Sequence, residues 1–161
     1  MQKPYQILQN VFGFEDFRFH QKEAIKKTLE KFDTLCVMPT GGGKSLCYQI
    51  PALCFEGVTI VICPLISLME NQVQALKLNG VAATFINSSL SYQEYLKRVE
   101  ALKKGEIKIL YLAPESLNSD RVGELLTEID VSFIAVDEAH CVSQWGHEFR
   151  KEYHQLFWLK D

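Results

Sequence analysis

The most informative stretch of this 161-residue sequence is Met38-Pro39-Thr40-Gly41-Gly42-Gly43-Lys44-Ser45. An apolar run, residues 34–37, precedes it, and a second apolar segment, residues 46–50, follows it. This order predicts a strand, a glycine turn and a helix. Consecutive glycines allow positive φ and a close approach of the backbone to a ligand. The N–H groups of such a turn, together with the N-terminus of the next helix, bind phosphate oxygens. The stretch therefore predicts a phosphate-binding P-loop.

The two residues that end this P-loop indicate its ligand. Lys44 can reach the β- and γ-phosphates of a nucleotide, and the Ser45 hydroxyl can help to hold Mg²⁺. The general pattern G-x-x-x-x-G-K-[ST] requires a glycine where this sequence has Met38. A glycine turn followed by a chance Lys-Ser pair is the alternative, which the strand–helix context disfavours.

The composition is that of one globular domain, with 47% apolar and 23% charged residues. A net charge of −3 argues against attraction of the whole chain to nucleic acid, so such binding would have to be local. Five cysteines without a CxxC pair indicate a reducing, intracellular compartment. No apolar run approaches the roughly 18 residues of a membrane span, and no signal peptide is recognisable. We therefore expect a cytoplasmic protein with no membrane partner.

Helix-like and strand-like segments alternate along the chain. Helical patterns cover residues 4–12, 19–31, 65–79, 92–104 and 122–129, and apolar strand-like runs cover residues 58–63, 82–86, 107–112 and 133–136. Continuous apolar runs are typical of strands that are buried on both faces of a parallel sheet. The alternation predicts an α/β domain with a mainly parallel sheet and helices on both faces. Pro51 is expected to end or kink the helix that follows the P-loop.

A second motif is predicted at the sheet edge where the P-loop lies. The apolar run 133–136 leads into Asp137-Glu138-Ala139-His140, and ligands of such sheets bind beyond the carboxyl ends of the strands. Asp137 can lie near Mg²⁺, and Glu138 can orient or deprotonate an attacking water. An acidic strand end that caps the next helix is the alternative. His140 is either a catalytic or coupling residue or a hydrogen-bonded structural histidine.

Two strings resemble motifs of the RecQ family of DNA helicases. The motif II and aromatic-rich loop of that family resemble Asp137-Glu138-Ala139-His140-Cys141-Val142-Ser143-Gln144-Trp145-Gly146-His147-Glu148-Phe149-Arg150. Its motif I resembles Met38-Pro39-Thr40-Gly41-Gly42-Gly43-Lys44-Ser45-Leu46-Cys47-Tyr48-Gln49-Ile50-Pro51-Ala52-Leu53, so Met38 is a family variant. The resemblance extends from about Leu8 to Tyr153 and implies a RecA-like fold.

The resemblance also implies a nucleotide pocket near the N-terminus. Residues 12–21 are similar to the family's motif 0. There Gln21 would read the adenine edge, Phe14 would stack on the base and Arg18 would support the pocket. Core packing is the alternative for Phe14, and an exposed helix position is the alternative for Gln21. The implied ATP-binding set is Phe14, Arg18, Gln21, Thr40, Gly41, Gly42, Gly43, Lys44 and Ser45, with Lys44, Asp137 and Glu138 catalytic and Ser45 and Asp137 on Mg²⁺.

A DNA-facing side is implied by the same comparison. Residues 62–73 resemble motif Ia, in which Ser67 would hold a DNA phosphate at a helix start; Asn71 stands where Asp is expected. In residues 143–150, Trp145 and Phe149 suit stacking on unpaired bases, although two core aromatics are the alternative. The implied DNA-binding and coupling set is Ser67, His140, Ser143, Gln144, Trp145, His147, Phe149 and Arg150. Lys151 replaces the proline usual in the family.

The resemblance predicts the ATP-binding half of a motor. We interpret residues 1–161 as one truncated first RecA-like domain, with residues 1–31 as a helical segment that carries motif 0. The resemblance also leads us to expect a motif III, a second RecA-like domain and a cysteine-rich zinc region, and none of them is present in the sequence. The second RecA-like domain would supply arginines to the transferring phosphoryl group. The isolated chain is therefore expected to bind nucleotide weakly, to hydrolyse it negligibly and to unwind nothing.

The function implied by the resemblance is an ATP-dependent 3′–5′ DNA helicase of RecQ type. It would act on single-stranded and partly duplex DNA in recombination and repair. An RNA helicase of DEAD-box or DEAH-box type is an alternative that the glycine triplet and the Trp145 loop disfavour. A P-loop ATPase switch that does not translocate is another, and a non-catalytic truncation product that binds a partner is a third.

Overall fold

A computed structural model describes residues 1–39 and 43–139 of the chain. Its helices are α1 Gln2–Asn10, α2 Gln21–Leu29, α3 Leu46–Cys54, α4 Ile66–Leu78, α5 Tyr92–Lys103 and α6 Asp120–Glu128, with a 3-10 helix at Pro114–Asn118. Its strands are β1 Val58–Ile62, β2 Ala83–Ile86, β3 Ile109–Leu112 and β4 Val131–Val136. The α-helices and strands among these elements were predicted from the sequence, with bounds that differ by a few residues.

The described strands form one parallel sheet in the order β2-β3-β1-β4. Strand β1 lies between β3 and β4 and is buried along its whole length, as expected of a sequence that is apolar except for Thr59. In the register, Ile62 pairs with Leu112 on one side and with Val136 on the other. The carboxyl ends of these three strands therefore meet at one edge of the sheet.

Apolar side chains cover both faces of the sheet. On one face, residues of α3 and α4 such as Ala52 and Met69 pack with Val61 of β1. On the other face, Leu102 of α5 and Leu125 of α6 belong to the second core cluster, which lies under β1 and β3. The predicted α/β architecture, with helices on both faces of a parallel sheet, is confirmed.

A third apolar cluster joins the first two helices to the rest of the domain. Leu8 of α1 and Ile25 of α2, both fully buried, form this cluster with Leu46 and Ile50 of α3. The lysines of α2 lie on its solvent side, as its periodicity predicts. Because α3 begins directly after the P-loop, this packing holds residues 1–29 against the loop.

The prediction of a strand at residues 34–37 is wrong. No strand is assigned there, and Leu35 and Val37 are 81% and 83% exposed. Strand β4 pairs with β1, and no other described strand lies beside β4. An apolar run becomes a strand only where a neighbouring strand can pair with it, and among the described residues this run has no such neighbour.

Pro51 was expected either to end or to kink the helix after the P-loop, and the first of these outcomes does not occur. It lies inside α3, which continues to Cys54, so it does not end the helix. The residues on either side of it, Ile50 and Ala52, are fully buried. Burial of this turn against the sheet and α2 compensates for the hydrogen bond that a proline cannot donate.

Candidate functional site

The carboxyl edge of the sheet brings the end of β4 next to the start of α3. Asp137 follows β4 directly, and its backbone N–H donates to the carbonyl of Ile62 at 2.9 Å, which continues the ladder by one residue. The side chain of Asp137 accepts a hydrogen bond from the Tyr48 hydroxyl of α3 at 3.4 Å. The strand-end carboxylate and the first turn of the P-loop helix are therefore neighbours, as the sequence predicts.

Of the P-loop residues assigned to ATP binding, Gly43, Lys44 and Ser45 lie within the described chain. Gly43 has a φ of +78°, a conformation that glycine adopts at little cost. A Cβ atom at Gly43 would also collide with the side-chain amide nitrogen of Gln21. Ser45 is the N-cap residue of α3, and its carbonyl accepts from the N–H of Gln49 at 2.9 Å. Thr40, Gly41 and Gly42 lie outside the described residues.

The environment of Asp137 acts on its carboxylate charge in two opposite ways: burial disfavours the charge, and the positive charge of Lys44 favours it. Burial raises the pKa of the Asp137 carboxyl above its ordinary value; the backbone N–H of Glu138, at 2.9 Å, and the positive charge of Lys44 lower it. Lys44 and Asp137 therefore interact electrostatically across the edge of the sheet. Glu138 has a φ of +54°, which is uncommon for a residue with a side chain and is frequent at functional sites.

A cleft of about 150 Å³ lies beside Gly43 and is lined by residues of the predicted motif 0. Phe14, Arg18 and Gln21 line it together with Leu8, Asp16, Gly43 and Leu46. Phe14 is 45% exposed, so it is not a core residue, and the Arg18 guanidinium carbon lies 6.0 Å from the centre of its ring. The cleft therefore brings the accessible ring of Phe14 and the positive charge of Arg18 next to Gly43 of the P-loop.

Gln21 connects this cleft to the P-loop. It is only 2% exposed, which excludes an exposed helix position. Its side-chain amide nitrogen donates to the carbonyl of Gly43 at 2.9 Å, and its amide oxygen accepts from the N–H of Arg18 at 2.8 Å. Motif 0 and motif I, 22 residues apart, are therefore joined by a direct hydrogen bond.

The predicted DNA-facing residues are only partly within the described chain. Ser67 lies in the first turn of α4 and is exposed, close in sequence to the carboxyl end of β1. His140 lies outside the described residues, and so do Ser143, Gln144, Trp145, His147, Phe149 and Arg150. The structure therefore brings Lys44, Ser45 and Asp137 to one edge and joins Gln21 to Gly43, while the aromatic loop stays a prediction from sequence.

A group of buried polar residues next to Asp137 was not predicted. The hydroxyl oxygens of Tyr48 and Tyr111 lie 3.1 Å apart, and the side-chain amide of Gln49 donates to Tyr111 at 3.2 Å and to Gln72 at 3.0 Å. Burial raises the pKa of Tyr111 to about 12 and raises that of Tyr48 as well, so both phenols keep their protons at neutral pH. Polar side chains within the apolar segments 46–54 and 109–113 were the available signal.

A lysine after a glycine turn and an aspartate at the end of a neighbouring parallel strand are typical of P-loop nucleotide-binding domains. A family model described as "DEAD/DEAH box helicase" matches residues 18–160. The chain belongs to this family.

Curated relatives place the chain more narrowly. The ATP-dependent DNA helicase RecQ of Bacillus subtilis is 54% identical over 93% of this chain and 26% of its own length. RecQ of Pasteurella multocida is 52% identical over 96% of this chain and 24% of its own length. The ATP-dependent DNA helicase Q1 of Mus musculus is 46% identical over 96% of this chain and 25% of its own length. The chain spans about a quarter of the length of these relatives, and the predicted similarity to RecQ helicases is confirmed.

Solved structures confirm the RecA-like helicase fold. A hypothetical ATP-dependent RNA helicase from Sulfolobus tokodaii superposes with a TM-score of 0.72 over 95% of this chain and 45% of that chain, at 20% identity. The DUF1998 helicase MrfA bound to DNA and AMPPNP superposes with a TM-score of 0.69 over 86% of this chain and 21% of that chain, at 19% identity. At such identities the likeness concerns the fold alone. Within residues 1–39 and 43–139, no helix is long and apolar enough to cross a membrane.

Proposed function

We infer that the chain is the ATP-binding part of an ATP-dependent DNA helicase of RecQ type. The observation that carries this inference is the placement of Lys44 and Asp137 at one sheet edge, where the lysine charge acts on the aspartate carboxyl. The identity of about 50% to proteins named RecQ supports DNA rather than RNA as the substrate. ATP would supply the phosphoanhydride bond whose hydrolysis drives movement along DNA.

The cleft beside Gly43 fits the base of the nucleotide. Phe14 presents an accessible ring for stacking, and Arg18 supports that ring from one side. Gln21 would recognise the adenine edge. Its bond to the Gly43 carbonyl would link base recognition to the position of the phosphate-binding loop. Thr40, Gly41 and Gly42 complete the predicted loop that surrounds the phosphates, with Lys44 contacting the β- and γ-phosphates.

Ser45 and Asp137 would hold Mg²⁺. Magnesium usually keeps several waters and is bound by one or two protein oxygens together with substrate phosphates. A hydroxyl and a carboxylate at the sheet edge suit this mode, although no group of three or more His, Cys, Asp or Glu in the described ranges is arranged to hold a metal by itself. Glu138 would orient the attacking water and accept its proton.

DNA would bind on the side of Ser67 and the predicted aromatic loop. Ser67 and the first N–H groups of α4 would hold a phosphate, while Trp145 and Phe149 would stack on unpaired bases. His140, Ser143, Gln144, His147 and Arg150 would connect DNA binding to ATP hydrolysis. Translocation from 3′ to 5′, a second RecA-like domain, a role in recombination and repair, and a cytoplasmic location complete this proposal.

ATP hydrolysis by the protein at its native length tests the proposal. We expect single-stranded DNA to stimulate turnover at least tenfold, Lys44→Ala to abolish turnover, and Trp145→Ala to keep basal turnover but lose the stimulation. Lys27→Ala, which removes an exposed lysine of α2, is the matched control and should behave as wild type. Stimulation by RNA alone would assign the protein to the RNA helicases. Turnover indifferent to both nucleic acids would leave a P-loop ATPase switch.

A further inference from the structure

A chain of hydrogen bonds, buried in its middle and partly buried at its ends, runs from α4 to the aspartate of motif II. It begins at Gln72 of α4, whose side-chain oxygen accepts from Gln49 of α3 at 3.0 Å. Gln49 also donates to the Tyr111 hydroxyl of β3 at 3.2 Å, and Tyr111 lies 3.1 Å from the Tyr48 hydroxyl of α3. Tyr48 donates to Asp137 at 3.4 Å. Four structural elements are thus joined through the interior.

The donors along this chain have a fixed direction. An ionised carboxylate only accepts hydrogen bonds, so the Tyr48 proton points to Asp137. The Tyr48 oxygen must then accept from Tyr111, and the Tyr111 oxygen accepts from the Gln49 amide. Both hydrogens of that amide are used, one on Tyr111 and one on Gln72. Hydrogen bonds aligned in this way polarise one another, which strengthens the last donor toward the carboxylate.

The two ends of the chain lie at different functional surfaces. Asp137 is at the nucleotide edge, and α3 begins at the P-loop residue Ser45. Gln72 belongs to α4, whose first turn carries Ser67, the residue assigned above to a DNA phosphate. Apolar residues could have filled the same interior at no cost in unsatisfied polar groups. A hydrogen-bonded polar path between two surfaces therefore fixes their relative positions in a way that apolar packing does not.

We propose that Tyr48 is a positioning residue for Asp137 and that Tyr111, Gln49 and Gln72 couple this position to helix α4. Resting on the proposed function, the coupling makes the magnesium-binding carboxylate respond to DNA bound at α4. The Tyr48–Asp137 distance of 3.4 Å is long for an O–H···O bond, so it is the link in the path that a small shift of α3 relative to the end of β4 changes most. A movement of α4 would reach this link through the Gln72–Gln49 hydrogen bond to α3.

Tyr48→Phe in the protein at its native length tests this role, because it removes one hydroxyl and keeps the ring. The Mg²⁺ concentration for half-maximal binding of a fluorescent ATP analogue should rise about fivefold. Stimulation of turnover by single-stranded DNA should fall about threefold. The matched control is Tyr95→Phe on α5, which lies on the opposite face of the sheet and should change neither quantity.

Gln72→Met tests the other end of the path. It should leave the Mg²⁺ requirement of binding near wild type when DNA is absent and should lower the stimulation by DNA. Combined with Tyr48→Phe, it should add little further loss, since both changes interrupt the same path. All measurements are made below the melting transition of each variant, so that a loss of folded protein does not affect them.

Three results would decide against parts of this proposal. A wild-type Mg²⁺ requirement in Tyr48→Phe would remove the positioning role. Additive losses in the double variant would remove the connection to α4. If DNA does not stimulate the wild type at all, the proposed helicase function fails, while the Mg²⁺ requirement of nucleotide binding still decides the role of Tyr48.

Discussion

The centre of the sheet and its carboxyl edge are built in opposite ways. Strand β1 at the centre is apolar, fully buried and paired on both sides. The edge carries a partly buried carboxylate at Asp137 with a raised pKa and a left-handed backbone at Glu138. The centre therefore stabilises the fold, whereas the edge keeps strained and poorly solvated groups that the proposed function requires.

The largest expected effect belongs to the centre. Ile60→Ala removes a fully buried side chain from β1 and should lower the free energy of unfolding by about 3 kcal/mol. Leu35→Ala, at a similar apolar residue that is 81% exposed, should change it by less than about 0.5 kcal/mol. Hydrogen exchange of peptides from β1 and β3, in the protein at its native length, measures both. Equal losses would show that residues 34–37 are packed in solution and would remove the contrast.

This contrast also explains which parts of the fold could be predicted from sequence. Helix α5 was predicted at residues 92–104, and Ser91 caps it by accepting a hydrogen bond from the N–H of Glu94 at 3.2 Å; periodicity and caps are local signals that a sequence shows directly. Residues 34–37 resemble β1 in composition, but the prediction of a strand there is wrong. Strand formation depends on a neighbouring strand and not on the apolar run alone.

The candidate site likewise contains contacts that could be predicted from sequence motifs and contacts that could not. Lys44 and Asp137 were predicted to meet, since motifs at the ends of parallel strands share an edge. The path through Tyr48 and Tyr111 was not predicted. It joins residues 63 positions apart, and no period or motif relates two hydroxyls at that separation. The direct bond from Gln21 to Gly43 was missed for the same reason, although both residues were assigned to the nucleotide site.

The next largest expected effect is on nucleotide affinity and comes from a substitution at Gly43 of the P-loop. Gly43→Ala places a Cβ against Gln21 at a residue with positive φ, so nucleotide affinity should fall about tenfold, roughly 1.4 kcal/mol. Gly80→Ala is the matched control, because its φ of +79° is almost the same but the space around it is open. It should lower stability by about 1 kcal/mol without changing nucleotide affinity.

Titration with a fluorescent ATP analogue measures the affinity of both glycine variants. Adding Gln21→Ala to Gly43→Ala removes the collision but keeps the backbone strain. If Gln21 also contacts the base, the double variant should therefore recover little of the lost nucleotide affinity. Wild-type affinity in Gly43→Ala would mean that the loop and Gln21 separate easily, and the edge would then be less rigid than the structure indicates.

The smallest expected change in stability has the opposite sign. Asp137→Asn removes a charge that burial disfavours and should raise the melting temperature at pH 7 by about 2 °C, while ATP turnover falls at least about a hundredfold. Glu56→Gln, which neutralises an exposed carboxylate, should leave both nearly unchanged. A thermal melt and a turnover assay on the same samples measure the two quantities.

The pH dependence identifies the cause of that gain in stability. Because the pKa of Asp137 in the folded protein is raised above its unfolded value, its favourable contribution is complete below the ordinary carboxyl pKa of about 3.9 and is lost as pH rises through the folded pKa. Wild type should therefore approach the variant only as pH falls through that raised pKa toward about 3.9, and the difference in melting temperature should shrink in that window. A difference that stays constant from pH 7 down to about pH 4 would assign the gain to a cause other than the partly buried charge, and the edge would then resemble the centre in its electrostatics.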